Sequence, residues 1–184
     1  MTRQGRPFFI VFLVYSFLWL LPTEGLTQTA INFSKHRLSF LGGTSDFINV
    51  SYNYRWLGGQ YTFRKRFKET GNVFYFLQPG MLLSQYLPSP DSAVKKTGFE
   101  LGLNLGLGYR YRSWNIELGS GPYYMGADID RQVRGFLFNN QLFLRYGHGS
   151  WGLSIGFRHI SNGEVRLPNG GINSLIAGVD YLWH

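Results

Sequence analysis

Near its end this chain places the side chains of a nucleophilic acyl transfer close together: His159-Ile160-Ser161-Asn162, then Pro168-Asn169-Gly170-Gly171-Ile172-Asn173. A serine hydroxyl becomes a useful nucleophile when a base lies within hydrogen-bond reach and a third group orients that base. Two residues apart on a strand, His159 and Ser161 share one face. If the following strand folds back in symmetric register, Asn173 falls opposite His159 and Gly171 opposite Ser161. Directly opposed residues have Cβ atoms about 4.5–5.5 Å apart, so the imidazole reaches a hydroxyl on one side and an amide on the other.

Strands able to hold such a pair run through the whole chain. Phe99, Leu101, Leu103, Leu105, Leu107, Tyr109 and Tyr111 alternate with Glu100, Gly102, Asn104, Gly106, Gly108, Arg110 and Arg112. Side chains alternate between the two faces of a strand, so one face here is apolar and the other polar or glycine. Ordinary strands are about five or six residues long. This longer run suits a tilted membrane strand with lipid outside and a polar lumen. Similar segments at 46–56, 60–68, 72–86, 113–125, 134–147, 150–162 and 172–184 bring the expected number to eight.

The expectation is therefore an all-β fold, an eight-stranded antiparallel transmembrane β-barrel of the bacterial outer membrane, spanning 46–184. Short turns at 69–71, 111–113 and 147–149 alternate with longer loops at 87–96, 127–133 and 163–171, as periplasmic and external ends require. A hairpin at Leu57–Gly59 would be short on the external side, an exception. Residues 28–45 include a strand-like piece, Arg37–Leu41. A ninth strand would spoil the even count, so 28–45 is read as an N-terminal extension.

Arg3 and Arg6 precede an apolar run from Phe8 to Leu21 that ends at Pro22. That pattern marks 1–27 as a signal peptide, cleaved between about residues 25 and 30. The remaining chain, about 155 residues, is enough for one domain. The absence of cysteine excludes disulfides, thiol nucleophiles and thiolate metal sites. The formal charge is +8. No helix or aromatic-basic groove favours nucleic acid, and the charge suits anionic lipid headgroups instead. The glycines of Gly102-Leu-Asn-Leu-Gly-Leu-Gly108 lack the strand-turn-helix setting of a phosphate loop. They sit on the lumen parity, where they make room for neighbours.

Trp151, Leu153, Ile155 and Phe157 share parity with His159 and Ser161, so both polar residues face lipid. That is costly without a partner or a purpose. His-x-Ser-Asn followed by Pro-Asn-x-Gly-Ile in a last hairpin resembles the PagL family of lipid A 3-O-deacylases. The motif covers residues 159–173; the leader, size and strand pattern agree more loosely over the rest. The resemblance implies a carboxylic ester hydrolase of the outer membrane, acting on lipid A of lipopolysaccharide among outer-membrane lipids. It implies Ser161 as nucleophile, His159 as base and Asn162 in the oxyanion-stabilising group.

The chain departs from that family at Asn173, where the family's best-known arrangement has Glu. An amide oxygen can orient the imidazole but supplies no negative charge. Glu164 is a possible alternative acid, although a loop carboxylate is ordinarily just solvated. Arg158 and Arg166 flank the site; they fit either lipid A phosphates or an ordinary membrane rim. His36, His148 and His184 read as headgroup-level residues. No cluster has metal-ligand spacing, and no cofactor is expected. The alternative function is a non-catalytic small barrel, an adhesin or membrane-stabilising protein, which would leave a lipid-facing His–Ser pair unexplained.

Overall fold

In the computed structural model the described residues are 33–45, 53–87, 96–128, 134–163 and 170–184. They form eight strands: β1 His36–Thr44, β2 Asn53–Arg66, β3 Val73–Leu87, β4 Lys96–Tyr111, β5 Trp114–Met125, β6 Gly135–His148, β7 Trp151–Ser161 and β8 Ile172–Trp183. Neighbours pair antiparallel in sequence order, and β1 pairs with β8 to close the barrel. Closure matters because a membrane offers no water to satisfy an open sheet edge. The leader expected at 1–27 lies outside the described residues.

The strand count agrees with the sequence, but its beginning does not. The segment expected as an extension supplies β1, which runs along β2 from His36↔Phe63 to Thr44↔Arg55 and along β8 from His36↔Trp183 to Thr44↔Leu175. Of the two segments expected as separate strands at 46–56 and 60–68, residues 53–56 and 60–66 belong to one strand, β2, while 46–52 lie outside the described residues. Leu57-Gly58-Gly59 is not a turn but strand interior, where Gly58 is pressed against β3. A Cβ at Gly58 would lie 2.2 Å from the Met81 carbonyl oxygen. Glycine in a strand often marks such close backbone approach. With this correction there is no turn at Leu57–Gly59, and the exception to the alternation of short and long connections disappears.

Outward and inward faces follow the sequence alternation. Phe99, Leu101, Leu103, Leu105 and Leu107 are exposed on the wall, while Glu100 and Asn104 are fully buried inside. Aromatic pairs mark both interfaces: Trp114–Tyr146 and Trp151–Tyr181 at the short-turn end, Phe99–Tyr124 and Tyr124–Phe136 at the long-loop end. Such girdles sit at headgroup level. His36 joins the lower girdle, bonded to the Tyr61 hydroxyl at 2.6 Å and stacked on Trp183.

The interior is filled rather than open. Toward the short-turn end, Arg37 donates twice to Glu117, at 2.6 and 2.7 Å, and Arg145 bridges Glu117 and Asp180, each at 2.9 Å. Nearer the long-loop end Arg158 donates to Glu100 at 2.5 Å, to the Tyr54 hydroxyl at 3.1 Å and to Asn139 at 2.5 Å. Buried charges are tolerable when paired and hydrogen-bonded in this way. Apolar side chains complete the upper interior, among them Tyr54, Trp56, Met125, Leu137, Ile160 and Ile172. Glycines on the lumen face of β4 leave the space these groups need: a Cβ at Gly102 would lie 2.1 Å from the Tyr123 ring and one at Gly108 2.2 Å from Phe74.

Candidate active site

β7 and β8 form the last hairpin, with His159 directly opposite Asn173 and Ile160 opposite Ile172. The symmetric register expected from the sequence is the one observed. Ile160 and Ile172 point inward and are each 1% exposed, which pins the hairpin to the core. His159 and Asn173 stand on the outer face, half-buried. Nδ1 of His159 lies 2.8 Å from Oδ1 of Asn173. An amide oxygen only accepts, so this contact places the imidazole hydrogen on Nδ1. Nε2 is left with a lone pair, the form a general base needs.

Ser161 ends β7 on the same outer face as His159, half-buried, and pairs across to Phe138 of β6. Asn162 follows directly and is 4% exposed, so its side chain has left the lipid-facing surface. Glu164 and Arg166 lie outside the described residues. Arg158, read from the sequence as a group flanking the site, is instead 1% exposed in the lumen and committed to Glu100. Its parity, opposite to that of His159, takes it through the wall. It holds the strand beneath the site and does not face the lipid.

Sequence reading missed the part played by Gly171, which it took for turn chemistry alone. Its φ is +55°, and a Cβ there would lie 2.9 Å from Cε1 of His159. Glycine is therefore required twice, by a left-handed backbone and by the imidazole that occupies the space of a side chain. Two further polar residues were also missed. Asn140 of β6 lies opposite His159 on the side away from Asn173, and Ser120 of β5 lies opposite Asn140. An open cleft bounded by Trp56, Leu83 and Phe99 lies on β2–β4, across the barrel from this hairpin.

A closed barrel, a lipid-facing apolar wall and a polar site near the rim of the last hairpin define a small outer-membrane β-barrel. Two solved structures share that fold. One is titled as the crystal structure of the outer membrane enzyme PagL, at 17% identity and TM-score 0.55, covering 79% of this chain and 98% of that one. The other is the Yersinia pestis outer membrane protein Ail in a phospholipid bilayer nanodisc, at 12% identity and TM-score 0.53, covering 82% and 100%. A search of curated protein sequences found no significant match. The family model described as lipid A 3-O-deacylase (PagL) matches residues 47–181. The chain belongs to that family.

Proposed function

We propose that this barrel is a serine esterase that removes the acyl chain ester-linked at the 3-position of lipid A. The carrying observation is the His159–Asn173 contact, on the lipid-facing wall, beside Ser161 on the same face. A base oriented toward lipid rather than the lumen suits a substrate already in the outer leaflet. Membership of the lipid A 3-O-deacylase family supports the choice of bond.

Nε2 of His159 takes the proton of the Ser161 hydroxyl as its oxygen attacks the ester carbonyl. The tetrahedral oxyanion collapses, the sugar oxygen leaves with the proton carried by the imidazolium, and an acyl-serine remains. Water, deprotonated by the same nitrogen, then releases the fatty acid and restores Ser161. Asn173 holds the imidazole in the required tautomer but contributes no countercharge to the imidazolium. With the Asn162 side chain buried, its donor to the oxyanion is the backbone N–H next to the nucleophile, a common source of such a bond. One donor of this kind is worth about 10²–10³ in turnover. Glu164 remains the alternative acid.

The test is mass spectrometry of lipid A from cells producing the chain or its Ser161→Ala variant. Loss of one ester-linked acyl chain with the first and not the second is the expected result. Unchanged lipid A with a correctly assembled wild-type barrel would overturn the proposal in favour of a non-catalytic membrane protein. The leader at 1–27 is part of the proposal, because assembly in the outer membrane requires export.

A further inference from the structure

The candidate base belongs to a longer polar row. Ser120, Asn140, His159 and Asn173 stand opposite one another in unbroken register across β5, β6, β7 and β8. All four are on the outer face. Ser120 donates to Oδ1 of Asn140 at 2.7 Å, and among the described residues nothing takes up the two N–H donors of the Asn140 carboxamide.

This pair is not an ordinary rim feature. On the external side of it stand Pro122 and Tyr124 on β5 and Phe136 and Phe138 on β6, with Phe136 79% exposed. On the other side are Leu118 and Leu142. Apolar wall therefore lies both above and below. Other outward polar side chains away from the candidate site, such as Thr44, Arg55, Lys65, Gln85, Thr97 and His148, stand close to strand ends. Amide donors within an apolar wall cost free energy unless something accepts from them.

We propose that Ser120 and Asn140 form a subsite for a hydroxyl group on the acyl chain of the substrate, which makes the enzyme selective for hydroxyacyl esters. This rests on the esterase reading above. Asn140 is displaced from Ser161 by one strand and by two residues toward the membrane centre, because Ser161 pairs with Phe138 and not with Asn140. That diagonal is about 7–8 Å between paired strands. A carbonyl carbon held against Ser161 and a hydroxyl two carbons along the same chain cover it with one hydrogen bond of about 2.8 Å. The direction is also right, since an acyl chain runs from its ester toward the bilayer centre. An unsubstituted chain would leave the Asn140 donors without a partner.

The experiment compares two lipid A esters differing only in that hydroxyl, in detergent micelles, with the full-length barrel. Folding is checked by heat-modifiable migration. The wild type should favour the hydroxyacyl ester in kcat/KM by about five- to tenfold, the worth of one such hydrogen bond. Asn140→Leu should bring the ratio close to unity, and Ser120→Ala should reduce it. A wild type that cleaves both esters equally, or a folded Asn140→Leu that keeps the preference, overturns the subsite alone. A wild type that cleaves neither ester overturns the esterase reading and the subsite with it. If Asn140→Leu does not assemble, the wild-type ratio and Ser120→Ala still decide the matter.

Discussion

At Asn173 the amide oxygen does part of what a carboxylate would do. It accepts from His159 at 2.8 Å and fixes the tautomer, but it leaves the imidazolium without a countercharge. Asn173→Glu should therefore raise kcat for ester cleavage, by less than the roughly 10⁴-fold that separates acid from amide where the amide also imposes the wrong tautomer. Asn173→Leu should lower kcat, since nothing would then hold Nδ1–H. Steady-state kinetics on the purified barrel check both. Gly171 makes a second prediction at this scale. Gly171→Ala combines a left-handed backbone strain of about 1–2 kcal/mol with displacement of the imidazole it would touch. Activity should fall far more than stability, measured by comparing turnover with urea unfolding. Equal loss of both would mean that Gly171 serves the turn and not the base.

β7 carries the candidate chemistry on one face and its support on the other. His159 and Ser161 look out, while Arg158 and Ile160 look in, so the strand is held from the lumen without obstructing the wall. The Arg158–Glu100 pair ties this strand to β4 across the lumen. Removing one partner of a buried pair leaves an uncompensated charge, at a cost of about 3–5 kcal/mol. Glu100→Leu should destabilise the barrel by that order in urea unfolding, and Glu100→Leu with Arg158→Met should recover much of the loss. Legibility differed sharply between elements. Alternation in β4 and β7 could be read directly, because each has an uninterrupted apolar parity. β2 could not, because Gly58-Gly59 carries the local signature of a turn and only contact with Met81 and Leu82 shows it to be strand.

For the molecule as a whole, closure is the controlling feature. β1 bonds to both β2 and β8, so deleting residues 36–44 should leave two open edges in lipid and abolish assembly, not merely weaken it. Loss of heat-modifiable migration in membrane fractions is the expected observation; a folded, shortened barrel would show that β1 is dispensable. Closure from within rests on the ion pairs around Glu117 and Asp180 and on the apolar cluster above them. With the interior occupied in this way, the candidate site is left on the outside wall, in contact with membrane lipid.

The amino-acid sequence alone carries the strand-forming alternation, the face on which each residue of β4 and β7 lies, and the membership of His159, Ser161 and Asn173 in one hairpin. These are local properties, set by a period of two and by a turn-forming stretch rich in Gly and Pro. It also contained the isolated polar residues Ser120 and Asn140 on otherwise apolar parities, but not their meaning. Which strand lies beside which, and at what register, follows from closing the barrel. Only that closure made residues 36–44 a strand, sent Arg158 to Glu100 rather than to the site, and aligned Ser120, Asn140, His159 and Asn173 in a single row. Pairing between distant segments depends on the whole circuit of hydrogen bonds being completed, a condition that no short stretch of sequence carries.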